Sequence, residues 1–105
     1  LILIGDGHNQ ARVLAHIDGN PHIQPLAPIR DRPKLARIMA SADALIHGSA
    51  AETFGLVASE GLASGLPLIL PDSGAVAQIA RAEFAETYAT GDPRACAEAI
   101  GRLLD

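Results

Sequence analysis

The feature that most constrains this chain is a regular alternation. Short apolar runs take turns with longer stretches whose apolar residues recur every three or four positions. Leu1–Gly5 is a continuous apolar run closed by glycine, which predicts a strand buried on both faces. Asn9–Ile17 reads as a helix with Val13, Leu14 and Ile17 on one side, and Asp18-Gly19-Asn20-Pro21 as a turn. His22–Ala27 reads as a second strand, with Pro25 confining it to an edge or a strand end. Asp31 is placed to cap a helix that carries Pro33 in its first turn and Leu35, Ile38 and Met39 on its apolar face. Ala42–His47 is a third strand, Gly55–Ser64 a helix stopped by Gly65, and Leu66–Leu70 a fourth strand closed by Pro71-Asp72-Ser73-Gly74. A short helix over Ala75–Arg81, a weak strand over Thr87–Thr90 and an amphipathic helix over Pro93–Leu104 complete the pattern. Strand and helix at this spacing predict an α/β fold, a parallel sheet with helices on both faces. Ligands on such sheets bind outside the carboxyl ends of the strands, so the informative loops are those after Ile4, Ala27, His47 and Leu70.

Composition excludes several functions. The 105 residues amount to one domain, 1–105, and no apolar run approaches the ~18–20 residues of a membrane span. Net charge is −4 with eight Lys plus Arg, which is no footprint for nucleic acid. Aromatic residues are 3% with no tryptophan, so stacking platforms are absent. One cysteine rules out an internal disulfide, and the four histidines lack metal-ligand spacing, so no metal is expected. Opening at Leu1 inside an apolar run, without methionine or leader, the chain is expected to be a stretch of a longer protein. A reducing, cytoplasmic setting fits, with Cys96 a buried thiol.

The first loop, Gly5-Asp6-Gly7-His8, invites a dinucleotide-binding reading. That module would need a third glycine where Gln10 stands and an acid where Gln24, Pro25 and Leu26 stand. A receiver-like signalling domain would need an aspartate where His47-Gly48 stands and a lysine beyond Lys34, and the chain has neither. The segment from His47 to Glu60 is richer. A strand ends, a loop of small residues follows, and a helix starts near Gly55 with Thr53 as a possible cap. A helix start offers free amides and the positive end of the dipole to a phosphate, and no lysine or arginine lies in this stretch. Glu52 and Glu60 flank that start. An ionised carboxylate only accepts hydrogen bonds, so beside a diphosphate it needs a hydroxyl-bearing partner. A nucleotide-sugar supplies hydroxyls on both sides of its diphosphate. Ser49 and Ser73 lack a paired base, so no nucleophile is assigned.

The run Glu52-Thr53-Phe54-Gly55-Leu56-Val57-Ala58-Ser59-Glu60, continued by Gly65-Leu66-Pro67, resembles the E-x7-E signature of retaining glycosyltransferases of the GT-B fold. Leu1–Gly7, the Ala42-Asp43-Ala44-Leu45-Ile46 strand and Gly91-Asp92 resemble further elements of that family, so the resemblance covers nearly the whole chain. It implies a Rossmann-like sheet forming the C-terminal, nucleotide-sugar-binding half of a two-domain enzyme. It also implies transfer of a hexosyl group from a nucleotide-sugar donor with retention, without metal or cofactor. By the same resemblance Glu52 contacts the donor sugar and Glu60 the ribose, while Thr53, Phe54 and the amides of Gly55, Leu56 and Val57 surround the diphosphate. Ile29, with Asp31 and Lys34 nearby, falls on the nucleobase side, and Gly5, Gly7 and His47 are candidates to line the cleft.

Some positions depart from the family pattern. His8 replaces a usual proline, Ala27 and Ala85 replace frequent glycines, and Ser73-Gly74 is a thin version of a glycine pair. Gly61 stands where alanine is usual, which weakens a helix by about 1 kcal/mol. The family's diphosphate-clamping arginine and lysine lie before this stretch, as does its acceptor domain, through which any membrane association would run. The 105 residues alone are therefore expected to be inactive.

Overall fold

The computed structural model describes residues 1–5, 7–48, 56–80 and 83–105. The elements follow the predicted order: β1 Ile2–Ile4, α1 Gln10–Ile17, β2 Gln24–Leu26, α2 Arg32–Ser41, β3 Leu45–Ile46, α3 Leu56–Ala63, β4 Leu68–Pro71, a 3₁₀ helix Ala75–Ile79, β5 Ala85–Tyr88 and α4 Pro93–Leu104. They form two compact units, Leu1–Ala36 and Arg37–Asp105. All described strand pairings are parallel, giving the α/β, Rossmann-like architecture.

In the first unit β1 pairs with β2, Ile2 opposite Gln24 and Ile4 opposite Leu26. Pro25 is tolerated because the ladder has two strands and β2 is an edge. α1 ends at Asp18, which adopts a left-handed backbone and bonds back to Leu14, before Gly19 turns the chain. α2 starts as predicted, the Asp31 carboxylate accepting from the Lys34 amide at 3.2 Å. One expectation fails. Ile2, Leu3 and Ile4 are 48%, 36% and 40% exposed, so β1 is not buried on both faces. A two-stranded ladder with one complete helix has too little apolar surface to cover both sides of a strand. Leu3, Val13, Ile17 and Ile23 instead line an open groove margined by Asn9, Arg12 and His16.

The second unit holds the sheet β3-β4-β5, with Leu68 opposite both Leu45 and Ala85. β4 is buried throughout, and its side chains alternate between faces. Leu68 and Leu70 pack with Ala58, Val76, Leu62 and Ile79, from α3 and the 3₁₀ helix. Ile69 packs with Tyr88, Ala95, Cys96, Ala99, Ile100 and Leu103 on the α4 side. Helices therefore cover both faces of this sheet. α4 is capped by Asp92, whose carboxylate accepts from the amides of Arg94 and Ala95, with Pro93 at the first helical position. Arg102 ties α4 to β5 through Glu86 at 2.9 Å and the Thr87 carbonyl.

Three local expectations are corrected. The last strand is Ala85–Tyr88 rather than Thr87–Thr90. Phe84 anchors its start in the apolar cluster, and the Asp92 amide bonds to the Ala89 carbonyl, turning the chain after Tyr88. The segment after Gly74 winds as a 3₁₀ helix, its Ala77 and Ala80 amides bonding three residues back; Arg81 lies outside the described residues. Cys96 is half-buried rather than buried, because it sits at the flank of α4, yet burial still pushes its thiol pKa up.

Candidate functional site

The carboxyl ends of β3, β4 and β5 lie side by side in the second unit, and His47 follows β3 directly. Its amide donates to the Ile69 carbonyl at 2.9 Å, the last ladder bond of β3. Its carbonyl accepts from the Tyr88 hydroxyl at 2.6 Å, and both residues are 8% exposed. Burial, and secondarily the Cys96 thiol, raises the Tyr88 phenol above its ordinary value, which keeps it a donor.

Beside this pair, the Asp72 amide donates to the Tyr88 carbonyl at 2.9 Å. The Asp72 carboxylate accepts from the Thr90 hydroxyl at 2.8 Å and the Thr90 amide at 3.1 Å. The Thr90 hydroxyl has one hydrogen and gives it to Asp72, so the Ser73 hydroxyl, 2.7 Å away, donates to Thr90. These bonds, the Thr90 hydroxyl first, hold the Asp72 carboxyl below its ordinary range.

α3 supplies the helix start. The amides of Leu56, Val57 and Ala58 belong to its first turn, which has no intrahelical partner for its N–H groups and contains no acid. Ala58 and Gly61 are buried against the sheet, whereas Val57 is 42% exposed and Glu60 half-buried. Val57 and Glu60 are three apart and share a side of the helix away from that contact. At the other end the Gly65 amide bonds to Leu62 O and the Leu66 amide to Gly61 O, with Gly65 at φ +81°. This double closure stops α3 as the sequence predicts and turns the chain into β4.

The predicted site residues divide as follows. Val57, Glu60 and His47, with the backbone of Leu56, are described in the second unit. Glu52, Thr53, Phe54 and Gly55 lie outside the described residues. Gly5, Gly7, Ile29 and Lys34 belong to the first unit, at or beyond the carboxyl ends of β1 and β2. Gly5 and Gly7 have φ of +142° and +153°, which side-chain-bearing residues rarely adopt, so the turn requires glycine at both. Gly5 extends the ladder by donating to Leu26 O at 3.1 Å, and Gly7 O accepts from the Gln10 amide. Ile29 is half-buried; Lys34 is exposed, and its amide is taken up by Asp31. Among the described residues no group of three or more His, Cys, Asp or Glu could hold a metal ion. No described helix is long and apolar enough to cross a membrane.

The sequence reading missed Tyr88 and the Asp72–Thr90 pair. The available signal was that Tyr88 is the chain's single tyrosine, set in a short run that ends a strand.

Comparison with known proteins shows the family of the chain. The family model described as "Glycosyl transferases group 1" matches residues 1–105. The GDP-mannose-dependent alpha-(1-6)-phosphatidylinositol dimannoside mannosyltransferase of Mycobacterium tuberculosis is 35% identical over 104 residues, 99% of this chain and 27% of the relative. The D-inositol 3-phosphate glycosyltransferase of Corynebacterium urealyticum is 37% identical over 79 residues, 72% of this chain and 19% of that relative. Among solved structures, Anabaena Alr3699/HepE in complex with UDP superposes with a TM-score of 0.78 at 22% identity, over 98% of this chain and 30% of that one. The chain thus spans about a quarter of the length of the mannosyltransferase it matches nearly end to end.

Proposed function

Because the chain belongs to the group 1 glycosyl transferases, we propose that it is the part of a hexosyltransferase that binds the nucleotide-sugar donor. The observation that carries the reading is the first turn of α3. The N–H groups of that turn have no partner within the helix, the turn holds no acid, and it belongs to the same unit as the carboxyl ends of three parallel strands. A diphosphate is one anion that such a turn accommodates without side-chain charge.

In this reading the amides of Leu56 and Val57, with Gly55, hold the diphosphate, Glu60 accepts from the ribose hydroxyls and Glu52 from the sugar. Glu60 is half-buried one turn into α3. GDP-mannose is the donor to try first, since the mannosyltransferase matched over 99% of this chain is named for it. The transfer retains configuration and needs neither metal nor cofactor, the remaining catalytic groups and the acceptor site being supplied outside these 105 residues. The setting is cytoplasmic.

The test is sugar transfer from GDP-mannose by the full-length protein, alongside Glu52→Gln and Glu60→Gln. Each substitution is expected to lower kcat/KM at least tenfold, and the 105 residues alone to show no turnover. A chelator is expected to leave the rate unchanged. Full activity in both variants would overturn the assignment.

A further inference from the structure

The register of the β3–β4 ladder leaves a gap that Tyr88 fills. In a parallel ladder a residue donates to one neighbour and accepts from the residue two further along the same strand. Leu45 donates to Pro67 O and His47 to Ile69 O, so the next donor along β4, due to the His47 carbonyl, is residue 71. That residue is proline and has no N–H. β4 is the central strand of this sheet, so the missing donor faces β3 and not solvent. The His47 carbonyl is in a buried residue, where an unmet acceptor is costly. Tyr88 stands opposite Pro71 on β5 and lies on the α4 face with Ile69 and Ala99. From there its hydroxyl reaches His47 O at 2.6 Å.

We propose that Tyr88 is a positioning residue for donor binding: its hydroxyl replaces the ladder hydrogen bond that Pro71 cannot make and so fixes the backbone of His47 at the carboxyl end of β3. This rests on the reading that the carboxyl ends of these strands face the nucleotide-sugar. Tyr88 touches no substrate. It acts through the peptide that leads from β3 into Gly48, and a shift of that peptide changes how well the donor is held rather than the chemistry that follows.

Steady-state kinetics of the full-length protein with GDP-mannose test this. Tyr88→Phe keeps the ring and its packing and removes only the hydroxyl. It is expected to raise donor KM about tenfold while kcat stays within about twofold. Ile69→Val, on the same sheet face, controls for lost stability and is expected to lower the thermal midpoint without moving KM. Pro71→Ala returns an N–H to β4, and in the Tyr88→Phe background it is expected to bring KM back to within about twofold of the parent. An unchanged KM in Tyr88→Phe, or one that moves equally in Ile69→Val, would overturn the positioning role while leaving the donor-binding reading intact. Failure of the parent protein to saturate with any nucleotide-sugar would overturn both.

Discussion

A methyl group built on Gly61 of α3 comes 2.5 Å from Cδ2 of Leu45 on β3, with Leu68 Cδ2 at 3.3 Å and Leu45 Cβ at 3.4 Å. Helix propensity alone would reward alanine at this position by about 1 kcal/mol. The close approach of α3 to the sheet opposes that gain. Leu68 is fully buried and Leu45 is half-buried in the same cluster, so both side-chain ends must shift within packed surroundings to admit the methyl group. Overpacking of this kind costs about 1–3 kcal/mol. Gly61→Ala is therefore expected to leave the protein no more stable, and up to about 2 kcal/mol less stable, in urea unfolding. A gain of about 1 kcal/mol would mean that α3 does not sit this tightly on β3.

The two sheets should differ in local stability. β4 is buried along its whole length and bonded on both sides, whereas β1 is exposed and has one described partner. Amide hydrogen exchange should be slowest at Leu68, Ile69 and Leu70 and faster by several orders of magnitude at Ile2–Ile4. Equal protection of the two sheets would contradict the burial difference.

The acid limb of stability should depend on Asp72. Its folded pKa is lowered, first by the Thr90 hydroxyl and then by the Thr90 amide. A carboxyl of this kind adds stability above its unfolded pKa of about 3.9, and the contribution is lost as pH falls through the lower folded value. Thr90→Val removes the leading cause. It is expected to shrink the loss of thermal midpoint between about pH 4 and pH 2 while leaving the pH dependence above 6 unchanged. An identical acid limb in the variant would show that this pair does not couple to folding.

Much of this architecture is legible in the chain because local signals and tertiary packing agree. Asp31 and Gly65 act at helix ends in the structure as their residue types predict, and each is settled by hydrogen bonds within a few residues. Legibility fails where the deciding contact is distant. Whether Leu1–Gly5 is covered depends on what packs against it, which the run's own hydrophobicity does not encode. The start of β5 is set by pairing with Leu68 and by Phe84 reaching the Val76 cluster, so local propensity placed the strand two residues late. The link from Tyr88 to His47 joins residues 41 apart and follows from a register that only the folded sheet reveals. For the candidate site, the start of α3 was readable from motif and spacing. Tyr88 and the Asp72–Thr90 pair were not, because neither belongs to a motif.

In the proposed function a nucleotide-sugar meets this chain at the first turn of α3. Backbone amide NMR shifts of the 105-residue chain, titrated with GDP-mannose and separately with NAD, test it most directly because they register weak binding residue by residue. Saturable shifts are expected at Leu56, Val57, Ala58 and Gly48 with GDP-mannose and none there with NAD. Shifts confined to Gly5 and Gly7, or an equal response to both compounds, would contradict it.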